Sequence, residues 1–140
     1  MKPRITVLTL GVDDLERSLA FYRDGMGLAT EGIIGREFED GAAVFIALND
    51  NLKLALYPSK SLAREAGVAP ASARLGAIAI GHNVSSKAEV DEVMKQAEQA
   101  GAVVTDPARV RFWGGYGGHF HDPDGHLWEI AWNPHWGLPD

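Results

Sequence analysis

The chain repeats its own order of elements once, and that repeat restricts the fold more than any other feature. "ITVLTLGV" (Ile5–Val12) is β-branched and apolar and reads as a strand buried on both faces. Asp13-Asp14-Leu15-Glu16 follows, a carboxylate N-cap with an acidic first turn. Leu15, Ser18, Leu19, Tyr22 and Met26 then keep helical spacing, and Gly25 and Gly27 can end the helix. Three apolar runs come next, at 29–35, 42–48 and 52–57, the last two joined by the turn Asn49-Asp50-Asn51. The second half has the same order. "GAIAIGHNV" (Gly76–Val84) is a strand, Ser86-Lys87-Ala88-Glu89 is a capping box, and Val90, Val93, Met94, Ala97 and Ala100 form an apolar stripe that Gly101 stops. Strand-like runs follow at 102–105, about 116–121 and about 127–133, with Asp122-Pro123-Asp124-Gly125 as the last turn.

The strand ends Val12 and Val84 lie 72 residues apart, about half the chain. A repeat of that length is a duplicated module rather than a solenoid unit. Each half reads as βαβββ, which makes the fold class α+β. The expected organisation is one domain over residues 1–140. Module one covers about 4–58, a linker with a short helix at Leu62–Ala66 covers about 59–75, and module two covers about 76–134.

Composition limits the partners. The net charge of −6 disfavours a nucleic-acid backbone. With no cysteine, disulfides and thiolate-held metals are excluded. "MKPRITVLTL" lacks the apolar run of a signal peptide, and no stretch approaches a membrane span. The expectation is a soluble, cytoplasmic protein with neither nucleic-acid nor membrane partners.

Two segments, "VDDLERSLAFYRDGMGL" (Val12–Leu28) and "FHDPDGHLWEIAW" (Phe120–Trp132), resemble the vicinal oxygen chelate superfamily. That group includes glyoxalase I, extradiol dioxygenases, fosfomycin-resistance transferases and bleomycin-resistance proteins. With the repeat, the resemblance covers nearly the full chain. It implies two βαβββ modules forming a cupped mixed sheet around a small-molecule cavity, often completed by a second subunit, so a homodimer is expected. Fold alone does not set function.

The resemblance also supplies a metal test. Members that use a metal place ligands on the first and last strand of each module. Those positions fall here on Val7, Leu54, Ala79 (Ala77 if a bulge intervenes) and Glu129. One carboxylate cannot hold a divalent cation well. The expectation is therefore no metal or other cofactor, with one exception left open. His119 and His121 share a strand face. If the hairpin register sets His119 opposite Glu129, their Cβ atoms lie about 4.5–5.5 Å apart. Two histidines and a carboxylate form a ligand set for iron(II). With the other register the idea fails.

Fosfomycin-resistance members carry a pocket tyrosine at the position of His119 and a threonine at that of Thr9, with polar or basic groups upstream of the last hairpin. The resemblance thus implies a pocket lined by Thr9, Arg109 or Arg111, Trp113, His119 and Glu129. A Glu in apolar surroundings has a raised pKa, and His exchanges protons near neutrality, so Glu129 and His119 are the catalytic candidates for acid–base work. The alternative is a satisfied ion pair of Glu129 with Arg109, Arg111 or His119.

"RFWGGYGGHF" (Arg111–Phe120) lacks the Gly-Lys-Ser/Thr of a phosphate loop. It reads as a lid whose Trp113 and Tyr116 close on a ligand, or as a wide turn with its aromatics packed inward. His82 faces away from the cavity, and Trp128 and Trp132 pack under the helices or at a subunit contact. Two functions stay open: a binder that sequesters a small organic molecule, as bleomycin-resistance members do, or a glyoxalase-like lyase, isomerase or dioxygenase using Glu129 and His119.

Overall fold

The Asp14 carboxylate accepts from the Arg17 amide at 3.1 Å and starts the first helix where the acidic pair predicts one. In the computed structural model, which describes residues 1–68 and 78–138, the chain forms two compact units, Met1–Ala73 and Arg74–Asp140. The first holds β1 (Val7–Val12), α1 (Leu15–Leu19), β2 (Thr30–Ile34), β3 (Ala43–Ala47), β4 (Lys53–Pro58) and α2 (Ser59–Ala66). The second holds β5 (Ala79–Asn83), α3 (Lys87–Ala100), β6 (Val103–Val110), β7 (Tyr116–His121) and β8 (Leu127–Trp132).

Each unit contains one four-stranded mixed sheet, ordered β1-β4-β3-β2 in the first and β5-β8-β7-β6 in the second. The first strand pairs parallel with the last, and the other neighbours are antiparallel. This is the α+β fold of two βαβββ modules that the repeat predicts. Among the described residues, no helix is long and apolar enough to cross a membrane. The linker beyond Val68, the Gly76 start of the fifth strand and Ala77 lie outside the described residues.

Several local expectations change. α1 does not keep its 3.6-residue period. It continues as a π-helical turn over Ala20–Gly25, with Met26 N–H donating to the Phe21 carbonyl at 2.8 Å. The wider turn buries Phe21 beside Tyr22, their rings edge to face with centroids 4.8 Å apart. β1 is buried on one face only: Leu10 and Val12 are in the core, whereas Val7 and Thr9 are exposed. The capping box of α3 forms with a shift of one residue. Ser86 Oγ accepts from the Glu89 amide at 3.1 Å, and Glu89 accepts from the amide and hydroxyl of Ser85.

α2 begins at Ser59, three residues before the expected Leu62, and packs on β1 and β4. It also anchors the β2–β3 loop, because Ser61 Oγ and the Arg64 guanidinium both donate to the Asp40 carboxylate. These donors, Arg64 first, hold the Asp40 carboxyl down to about 2. A depressed carboxyl stabilises the fold above its unfolded pKa of about 3.9 and ceases to as pH falls through the folded value. Both side chains are partly exposed, so salt screens the effect. The melting-temperature gap between wild type and Asp40→Asn is expected to close as pH drops from about 4 to about 2. A gap unchanged over that window in pH-dependent melting curves would show that the anchor does not act through charge.

Candidate functional site

Glu129 lies mid-strand in β8, and the β7–β8 register sets it directly opposite His119. His119 Nε2 is 3.3 Å from Glu129 Oε2. Side chains alternate along a strand, so Gly117, His119 and His121 share a face with Leu127, Glu129 and Ala131. The other face lies under α3. There the Tyr116 hydroxyl donates to Asp91 Oδ1 at 2.7 Å, Lys87 Nζ sits 5.6 Å from the Trp132 ring centroid, and Phe120 stacks on Trp128. His82, level with Ile130, has the parity of that face but is exposed.

On its other side, Glu129 is level with Gly81 of β5. A Cβ built on Gly81 would meet no atom within 4 Å, so open space adjoins the carboxylate. Glu129 is about 40% exposed. It is not enclosed by apolar side chains, as a buried carboxylate would be.

The third member of the group comes from β6. Pro107 has no N–H to give the ladder, and the β6–β7 register shifts on both sides of Asp106. The bulge leaves Asp106 level with His119, and His119 Nδ1 lies 2.9 Å from Asp106 Oδ2. The Arg111 guanidinium also donates to Asp106 Oδ2, and Arg109 Nε donates to Oδ1 at 3.2 Å. Arg111 is only 12% exposed and is anchored by bonds of 3.0 and 2.7 Å to the Gly117 carbonyl. Arg111 first, then His119 and Arg109, hold the Asp106 carboxyl far below the ordinary carboxylate range, against the opposing effect of burial. The result is a line of groups, Arg111–Asp106–His119–Glu129, whose last member reaches open space.

Residues 4–130 match the family model of the Glyoxalase/Bleomycin resistance protein/Dioxygenase superfamily. The chain belongs to that superfamily. Among solved structures it is similar to a glyoxalase-related enzyme from Fulvimarina pelagi, with 36% identity, a TM-score of 0.85, and coverage of 98% of this chain and 93% of that one. It is also similar to lactoylglutathione lyase from Agrobacterium tumefaciens, with 26% identity, a TM-score of 0.70, and coverage of 99% and 100%. A glyoxalase/bleomycin resistance protein/dioxygenase from Nocardioides shares the fold at 24% identity and a TM-score of 0.74, covering 100% of this chain and 89% of that one. No curated protein sequence gave a significant match.

At the positions where metal-using relatives are expected to carry ligands, Val7, Leu54 and Ala79 offer no donor atom. Both nitrogens of His119 already face carboxylates. His121 lies level with Leu127, and among the described residues no group of three or more His, Asp or Glu side chains is arranged to hold a metal. The alternative His119/His121/Glu129 ligand set is therefore not assembled, although the register it required is present.

The other candidate residues fall in different places. Arg109 and Arg111 join the site through Asp106, not through Glu129. Thr9 stands exposed on β1 of the first unit, level with Ala55. Tyr116 turns to the α3 face, away from His119. Trp113 lies over Gly115, where an added Cβ would collide with its ring. Between β6 and β7 the segment forms a short turn. Arg111 N–H donates to the Gly115 carbonyl and Gly114 N–H to the Arg111 carbonyl. Gly117 and Gly118 belong to β7, and at Gly118 a Cβ would be 2.9 Å from backbone atoms of Asp106 and Ala108. Those glycines serve close strand approach rather than loop motion.

Asp106 escapes sequence reasoning because Asp-Pro reads as a turn, which ends the expected strand at Thr105. An Asp with two arginines three and five residues on is the available signal. The first unit carries an open groove of about 720 Å³ lined by Thr30, Gly32, Ile34, Phe45 and Lys53, with Glu31 as its carboxylate. It holds no histidine and no comparable line of proton-exchanging groups.

Proposed function

We propose that this superfamily member binds a small carbonyl-bearing organic molecule against the Glu129 face of its second sheet and moves a proton on it, a glyoxalase-like lyase or isomerase chemistry run without the usual metal. The observation that carries the reading is the His119–Glu129 contact at 3.3 Å beside the open space at Gly81. An imidazole and a carboxylate sharing one proton can act as base or acid. As base, Glu129 takes the proton from the carbon beside the carbonyl. That C–H bond breaks, and its electron pair moves to the carbonyl oxygen as an enolate. On a 2-hydroxyketone the hydroxyl proton passes to the enolate oxygen, and return of the first proton to the former carbonyl carbon leaves a carbonyl where the hydroxyl was, an isomerisation with no oxidant or reductant. The proposal includes a cytoplasmic homodimer, as the resemblance implies.

A second reading, sequestration of a ligand without turnover, is favoured by the loss of donors at Val7, Leu54 and Ala79. Deuterium separates the two. Wild-type protein incubated in D₂O with 2-oxoaldehydes and 2-hydroxyketones is expected to speed deuterium entry beside the carbonyl, read by proton NMR. Gly81→Leu fills the open space on an ordinary strand backbone, so it should keep the melting temperature and lose the exchange. Tight binding in a thermal-shift screen, with no exchange on any carbonyl compound, would overturn the enzymatic reading and leave the binder.

A further inference from the structure

We infer that Asp106 is a positioning residue that fixes the tautomer of His119, so that Nε2, the atom facing Glu129, is the one that gains and loses the proton. The inference rests on the acid–base reading of Glu129 and His119 but concerns a residue that reading does not use.

The argument is one of proton inventory. Arg111 and Arg109 can only donate, and Asp106 receives both. A carboxylate held ionised in this way can only accept, so the proton in its 2.9 Å contact with His119 resides on Nδ1. Glu129 also only accepts, but its contact with Nε2 is longer, 3.3 Å against 2.9 Å, so the neutral ring keeps its proton on Nδ1 and carries its lone pair on Nε2. The arrangement is built into the fold: the bulge at Pro107 aims Asp106 at β7, the bonds from Arg111 to the Gly117 carbonyl fix the guanidinium, and the lack of a side chain at Gly118 allows β6 to approach.

Asp106→Ala tests this by removing the acceptor. Without a carboxylate at Nδ1, Glu129 is the acceptor left beside the ring and draws the proton onto Nε2. In that tautomer Nε2 cannot accept a proton from Glu129, and the path is blocked. Arg111 and His119 share Oδ2, so Asp106→Asn, which turns its amide oxygen to Arg111, keeps an acceptor toward Nδ1 and should retain the original tautomer.

The measurement is ¹⁵N NMR of histidine-labelled protein, with His119 assigned through His119→Gln and the pH raised until the ring is neutral. The groups around the ring are Asp106 and Arg109 of β6, Arg111, His121 of β7 and Glu129 of β8. Wild type and Asp106→Asn are expected to show the Nδ1–H form and Asp106→Ala the Nε2–H form. Deuterium exchange on the best carbonyl compound should fall at least about tenfold in Asp106→Ala and be kept in large part in Asp106→Asn. A wild-type Nε2–H tautomer, or an unchanged tautomer in folded Asp106→Ala, overturns the inference. The wild-type spectrum alone decides the matter if the variants do not fold. Correct tautomers with no exchange in any protein would instead sink the functional reading and leave the positioning role intact.

Discussion

Phe120→Ala is expected to cost about 3–5 kcal/mol of stability, whereas Phe112→Ala, eight residues away, should change it by less than about 0.5 kcal/mol. Phe120 is 2% exposed and Phe112 fully exposed. Phe120 stacks on Trp128, with ring centroids 6.3 Å apart and planes within 8° of parallel, on the face of the second sheet that α3 covers. Truncation removes the transfer free energy of a whole ring and leaves a cavity between two strands and a helix that cannot collapse freely. For a chain of this size the loss corresponds to a fall in melting temperature of roughly 10–15 °C. Phe112 is at the tip of the β6–β7 turn and loses no packing. Calorimetry on the two variants checks both values. Equal effects would mean that the face of β7 is misassigned, and with it the placement of His119 on the opposite face.

That dependence shows which parts of the molecule the sequence made legible. Strand parity and the turn Asp122-Pro123-Asp124-Gly125 were local signals. Together they placed Trp128 and Trp132, under the helices or at a subunit contact, on the face opposite Glu129, and both lie on the α3 face. The repeat gave the βαβββ order because a strand end, a helix cap and three short runs recur in step. What escaped depends on contacts that no short window contains. The π-turn that buries Phe21 is a packing choice among equally apolar residues. The bulge at Asp106 comes from a proline inside a paired strand, and its purpose appears only when β7 is alongside. The glycines of "RFWGGYGGHF" signalled freedom of backbone, but at Gly117 and Gly118 they are needed for room. Composition does not distinguish those two uses of glycine.

Glu129→Gln is expected to slow proton exchange on a carbonyl compound by about 10²- to 10⁴-fold, the usual contribution of a general base, with little change in stability. Glutamine keeps the shape of glutamate. With Nδ1–H of His119 committed to Asp106, Nε2 accepts, and the amide N–H of the substituted glutamine can donate to it, so the contact survives while the base is lost. Glu129 is also partly exposed, and exposed charge pairs contribute at most about 1 kcal/mol. Affinity for a neutral ligand, measured by calorimetry, should therefore be nearly unchanged. This pattern, lost exchange with retained binding and retained melting temperature, separates a base from a satisfied ion pair. A protein that only sequesters its ligand has no exchange to lose. If instead Glu129→Gln lowered the melting temperature as far as Phe120→Ala does, the carboxylate would be a structural member of the Asp106 network. Proton transfer would then have to begin at another group.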